Sequence, residues 1–284
     1  MQGYAAAYAR QAMAYIGQII GYKAQWEEDG KRYMEKRNPG GYMFSNADLR
    51  RLIFPLIVEQ ILAVSVGMVD TMMVSSVGEA ATSGVSLVDM VNTLFINIFA
   101  AVATGGAVVS SQYLGQKRQD RACQSADQLL IITGILSLAI MAVCIVFRRE
   151  FLSLLYRGVA EDVMRNARTY LVISAVSYPF LSVYNSCAAL FRSMGNSKIS
   201  MQASIIMNMI NVIGDSIFIF IFRWGVAGAA LASLISRMAA CFILLLRLRN
   251  RNLDIHIGTS LKMNRRMVRQ ILHIGIPNGI ENSI

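Results

Sequence analysis

Charge is scarce: only 15% of the 284 residues are Asp, Glu, Lys or Arg, against roughly 25% in an ordinary soluble domain. A water-soluble core cannot absorb the 55% of hydrophobic residues found here. Proline is rare too. With four prolines and 21 glycines in an otherwise apolar sequence, collagen and disorder are excluded. The four cysteines, Cys123, Cys144, Cys187 and Cys241, stand singly in or beside apolar segments. Free thiols are expected, without disulfide or zinc. Of the two histidines, His256 and His273, neither lies in an apolar run or joins a metal or nucleophile constellation. No Gly-x-x-x-x-Gly-Lys-Ser/Thr loop occurs, Gly195-Asn196-Ser197-Lys198 being a short turn, so ATP is not the direct energy source. Neither an enzymatic site nor a cofactor is expected.

What is present is long apolar runs. Six stand out, near residues 52–74, 84–111, 126–147, 168–191, 199–222 and 225–246. Each is long enough as a helix to cross a hydrocarbon core of about 30 Å. Backbone groups in lipid must be satisfied within the segment, so each run reads as a spanning helix. The formal charge of +10 sits at the edges of this block: residues 247–284 alone carry seven bases and two acids. That pattern fits anionic headgroups and the positive-inside rule better than nucleic acid.

Orientation follows from Lys and Arg in the short connections. One side collects Arg50, Arg51, Lys117, Arg118, Arg121, Arg192, Lys198, Arg247, Arg249 and Arg251, while residues 75–83 hold no base. The loop with Arg148, Arg149, Arg157 and Arg165 dissents. The majority places both termini in the cytoplasm and the protein in the plasma (bacterial inner) membrane. Residues 1–44 read as a cytoplasmic extension, 45–248 as a six-helix lobe, 249–270 as a cytoplasmic linker and 271–284 as the start of a seventh span.

Pro55-Leu56-Ile57-Val58-Glu59-Gln60 is echoed by Pro277-Asn278-Gly279-Ile280-Glu281-Asn282. Six helices restore the starting side, so the echo has the pattern of two parallel halves. A second, incomplete copy is expected to begin at the end of this chain, with the remaining lobe as its partner in a complete, monomeric protein.

Ionisable groups inside spans are expensive and default to function. Glu59 and Asp70 share one stripe of the first span, with Gly67 on the same side and able to admit a neighbouring helix. Glu59 is either a cavity carboxylate or a side chain snorkelling at the cytoplasmic end. Ser204, Asn208, Asn211 and Asp215 form a stripe on the fifth span, Asp89, Asn92, Thr93 and Asn97 one on the second, and Ser174, Tyr178 and Asn185 one on the fourth. These stripes either enclose a solvated cavity for a cation and a polar substrate or hydrogen-bond helix to helix. Glu59, Asn208, Tyr178 and Asn185 are the candidate cavity residues. Pro179 is expected to kink the fourth span. Gly225, Gly228, Ala232 and Ser236 form a small face for close packing on the sixth, where Arg237 could pair with a carboxylate or reach an interface. The 17 methionines suit adaptable packing or a pocket for varied ligands.

Taken in order, Val69-Asp70-Thr71-Met72-Met73-Val74, Gly84-Val85-Ser86-Leu87, Ala103-Thr104-Gly105-Gly106, Ser111-Gln112-Tyr113-Leu114-Gly115, Leu190-Phe191-Arg192-Ser193-Met194-Gly195-Asn196, Asn211-Val212-Ile213-Gly214-Asp215 and Gly225 to Ser233 resemble the multidrug and toxic compound extrusion (MATE) family of cation-coupled exporters. The resemblance spans about residues 45–284. It implies an all-α membrane protein of two six-helix lobes, opening alternately to either side and exporting amphipathic organic compounds. It implies further that Asp70 is the coupling group for H+ or Na+, with Asn211, Asp215 and Ser233 around it and any Na+ held at Asp70, Asn211 and Asp215. Ser233 stands where many members have Thr, and keeps the oxygen. Rival expectations are a flippase for lipid-linked saccharides, which a strongly basic cavity would favour, and a channel or non-transporting half.

Overall fold

The computed structural model describes residues 46–156, 158–258 and 263–281. The expected extension at 1–44 lies outside the described residues. The elements are α1 (Asn46–Ser75), α2 (Glu79–Gly115), α3 (Gln119–Val146), α4 (Arg148–Leu155), α5 (Glu161–Ser193), α6 (Ser197–Asp215) with a π-helical continuation (Ser216–Ile221), α7 (Gly225–Leu248) and α8 (Arg265–Glu281). Six of the described helices are long and apolar enough to cross a membrane. They match the six expected spans, and the protein is a multi-pass, all-helical membrane protein.

Each helix runs further than its apolar run because polar turns at the ends remain helical. Thus α2 starts at Glu79 and α5 at Glu161, acids that suit the positive end of the helix dipole. At the other end of α5, Gly195 adopts φ +77° and lets the Asn196 and Gly195 amides donate back to the Phe191 and Arg192 carbonyls at 2.9 and 3.0 Å. That left-handed closure is where glycine is favoured. Pro179 lies within α5, which is continuous from Glu161 to Ser193. The dissenting arginines Arg148 and Arg149 are accounted for by α4, a short amphipathic helix that buries Leu152 and leaves both exposed.

Helix α5 is the centre, packing against α2, α3 and α7, while α1 rests chiefly on α6 and α6 on α7. Small residues set the closest approaches. A Cβ at Gly228 would lie 2.9 Å from Phe218 Cβ, and one at Gly214 2.9 Å from Ala232 Cβ, so the small-residue face of α7 is indeed a packing face. Gly67 differs from expectation: nothing lies within 4 Å of a Cβ built there. Asp70, not Gly67, makes the contact with α6, through Asp215.

The connection after α7 folds back onto the bundle. Ile255 is fully buried, the Gly258 amide donates to Asp127 Oδ1 at 2.9 Å, and the Asn264 amide to Gln128 Oε1 at 2.7 Å. His256 is not isolated as expected, because this reversal sets its Nδ1 3.6 Å from Cys123 Sγ. Asp127→Ala is expected to loosen the connection by about 1 kcal/mol, the worth of one such hydrogen bond. Limited proteolysis between 250 and 262 should then run about fivefold faster, with α7 unaffected. Helix α8 begins at Arg265, earlier than the expected seventh span, and packs against α2.

Candidate functional site

The polar stripe of α6 faces inward as its spacing predicts: Ser204, Asn208, Asn211 and Asp215 are all buried. The first span supplies the opposing group. Because α1 and α6 run parallel, Glu59 meets Ser200 near one end of the pair while Asp70 meets Asp215 further along. Met73 Sδ, 4.0 Å from Ser216 Oγ, continues the register. Asn211 Nδ2 donates to Ser233 Oγ of α7 at 3.2 Å. The coupling group and the three residues expected around it therefore come from three helices, α1 on α6 and α6 on α7.

Two features set this arrangement apart from ordinary interhelical bonding. Asp70 and Asp215 meet carboxyl to carboxyl, and Asp70 Oδ1 and both oxygens of Asp215, buried and with Asp215 only 1% exposed, find no donor outside that pair. Buried acids are otherwise paired or hydrogen-bonded. In addition, the regular turns of α6 end at Asp215 and the chain continues as a π-helix over Ser216–Ile221, a geometry that recurs at functional sites.

A second set of residues adjoins this pair. Asp89 of α2 and Arg237 of α7 both lie within electrostatic reach of Asp70. Asn92 Nδ2 donates to Asp89 Oδ1 at 3.2 Å, and the fully buried Tyr178 donates to Asn92 Oδ1 at 2.7 Å. Arg237 Nη1 donates to Ser177 Oγ at 2.6 Å. Tyr170 of α5 turns its hydroxyl to Asp89. In the sequence Asp89 and Arg237 stand in separate spans with nothing that joins either to the site. The available signal was one acid and one base within spans, and Tyr170 carried none.

The remaining expected cavity residues divide. Asn208 Nδ2 reaches Ser204 Oγ at 3.5 Å on the α6 stripe, and Asn185 Nδ2 is buried without a hydrogen-bond partner. Tyr178 is committed to Asn92. Glu59 is not brought to Asp70. Its Oε1 lies 3.6 Å from Arg192 Nη1 and accepts from Tyr184 at 3.5 Å, and Oε2 accepts from Ser200 at 3.5 Å. This ties α1 to α5 and α6 at the Arg192 end.

Chemically the Asp70–Asp215 pair offers hard oxygen ligands, with the Asn211 carbonyl and Ser233 hydroxyl nearby, a set suited to a proton or an alkali cation. Among the described residues no three Asp, Glu, His or Cys side chains converge to hold a metal ion.

The sequence pattern of the MatE family matches residues 55–217, more than half of the chain. The chain belongs to the MATE family. It is 30% identical over 254 residues to the "Uncharacterized transporter YisQ" of Bacillus subtilis (strain 168), covering 86% of this chain and 54% of that protein. The "Probable multidrug resistance protein YoeA" of the same organism is 26% identical over 238 residues, 80% of this chain and 51% of that protein. Among solved structures, the outward-facing conformation of a multidrug resistance MATE family transporter superposes with a TM-score of 0.77 at 21% identity, covering 83% of this chain and 52% of that one. This chain thus spans about half the length of the MATE relatives it matches. Membership places it in a transporter family and not an enzyme family, and the six-helix bundle matches one MATE lobe.

Proposed function

We propose that this chain is the ion-coupling lobe of a cation-driven antiporter that exports amphipathic, cationic organic compounds by alternating access. The observation that carries the proposal is the buried Asp70–Asp215 pair, whose members meet carboxyl to carboxyl and of whose oxygens Asp70 Oδ1 and both of Asp215 find no donor outside the pair. Two desolvated acids side by side leave a deficit of positive charge that an incoming H+ or Na+ can fill. Filling it changes which packing of α1 on α6 is favoured, and that differential affinity lets the ion bias one access state. In this reading Asn211 and Ser233 orient the pair, Asn208 and the unpartnered amide of Asn185 meet substrate, and no cofactor takes part. The Arg192 end faces the cytoplasm of a plasma membrane.

Asp70→Asn in the complete protein is expected to abolish efflux of a cationic dye driven by a proton or sodium gradient in everted vesicles, with membrane expression intact. Undiminished efflux would overturn the proposal.

A further inference from the structure

The second charged set beside the coupling pair has no role in the reading above, which this inference takes as its starting point. Asp89 of α2 and Arg237 of α7 both lie within electrostatic reach of Asp70 of α1, which faces Asp215 of α6, and Arg237 stands one turn along α7 from Ser233, the acceptor of the Asn211 amide. The two tyrosines of α5 complete the ring of titratable groups, Tyr170 on Asp89 and Tyr178 on Asn92. The guanidinium and Asp89 are both held in place. Arg237 is fixed by its 2.6 Å bond to Ser177, whose own hydroxyl donates to the Ser174 carbonyl at 2.6 Å, and Asp89 by its bond from Asn92. Asp70 Oδ1 and the two oxygens of Asp215 have no such tether to a third group, only the carboxyl-to-carboxyl contact between the two acids. The cluster therefore has two opposite charges tethered to different partners, Arg237 on Ser177 and Asp89 on Asn92, and two acids that have only each other.

We infer that Arg237 and Asp89 are positioning residues that set the electrostatic background of the coupling site, Arg237 acting as its internal counter-ion and Asp89 as the acid that offsets it. With that fixed pair close to neutral, the charge an entering ion must supply is determined by Asp70 and Asp215 alone. The guanidinium repels an entering cation and Asp89 attracts it. Removing one therefore strengthens binding, removing the other weakens it, and removing both leaves it nearly unchanged.

The test is cation uptake by the purified protein in detergent, with radiolabelled Na+ at fixed pH and as proton uptake on acidification without Na+, using whichever ion the unaltered protein takes up. Arg237→Gln is expected to need about tenfold less cation for half-saturation and Asp89→Asn about tenfold more, the size of one charge at this range. The double variant should fall within about threefold of the unaltered protein, and Arg237→Lys, which keeps the charge, should behave as the unaltered protein does. Shifts of the two single variants in the same direction, or a double variant worse than either, would show a merely structural role and overturn the inference. If Arg237→Gln does not fold alone, the double variant decides. Recovered folding with a near-normal cation requirement supports the inference, whereas an unfolded or tenfold-shifted double variant refutes it. Asp70→Asn is measured alongside. Unchanged uptake there removes the coupling reading itself, while lost uptake together with same-direction shifts removes only the counter-ion role.

Discussion

Asp215→Asn is expected to make the protein more stable and at the same time to end its dependence on a coupling cation. Asp215 is 1% exposed and its oxygens find no donor in the protein besides the facing carboxyl of Asp70, itself an acid. Leaving a buried polar group unpaired costs about 1–3 kcal/mol, and more when it carries charge. An amide fills the same space without a formal charge, and its NH2 can donate to the unpartnered Asp70 Oδ1. The gain should reach about 1–3 kcal/mol, visible as a rise of several degrees in the detergent melting midpoint. In the same variant, half-saturating cation should no longer be measurable. A fall in the midpoint would mean that Asp215 has partners in the folded protein besides Asp70, and the view of the pair as a strained, open ion site would have to go.

The second large effect concerns the crossing of α2 and α8. A Cβ at Gly105 would sit 2.5 Å from the Ile271 carbonyl oxygen, 2.8 Å from the Gly275 nitrogen and 2.9 Å from Gly275 Cα. All three are backbone atoms, so only a shift of the whole helix could make room. Gly105→Leu should therefore push α8 off α2 at a cost beyond the roughly 1–3 kcal/mol of ordinary overpacking. The neighbouring Gly106→Ala is a built-in contrast. There the close atoms are the tips of Leu129, as near as 2.5 Å, and a side chain can change rotamer, so a milder loss is expected. Disulfide crosslinking of Ala101→Cys with Gly279→Cys on a cysteine-free background reads the crossing directly, since a Cβ at Gly279 lies 2.9 Å from Ala101 Cβ. Crosslinking should persist with Gly106→Ala and disappear with Gly105→Leu. Equal yields in the two would contradict the close approach.

How much of this was visible beforehand depends on the range of the interaction. The spans were legible because hydropathy is a local property of each segment, and the α6 stripe because a spacing of four, three and four residues fixes a helical face whatever lies opposite. Asp70 and Asp215 stood out through the cost of an acid in lipid. The association of Asp89 with Arg237 was not legible, since it depends on the rotation of α2 and α7 about their own axes against α5. Nor was the contact between His256 and Cys123, which are 133 residues apart and meet only because the chain reverses after α7. Glu59 shows what periodicity fixes and what it leaves open. It does share the α6-facing side of α1 with Asp70, but its depth puts it beside Arg192 and not beside Asp215.

The docking of α8 also bears on where a two-lobed protein of this kind could pivot. By sequence, the second repeat announces itself at Pro277, yet Met267 and Ile271 are buried in the same apolar cluster as Leu129, Phe191 and Leu244. The helix that was expected to open that repeat is thus packed into the core of the first lobe. The described residues of the connection up to Gly258 are likewise held to the bundle, through buried Ile255 and the bond from Gly258 to Asp127, where their place between the repeats would suggest a flexing joint.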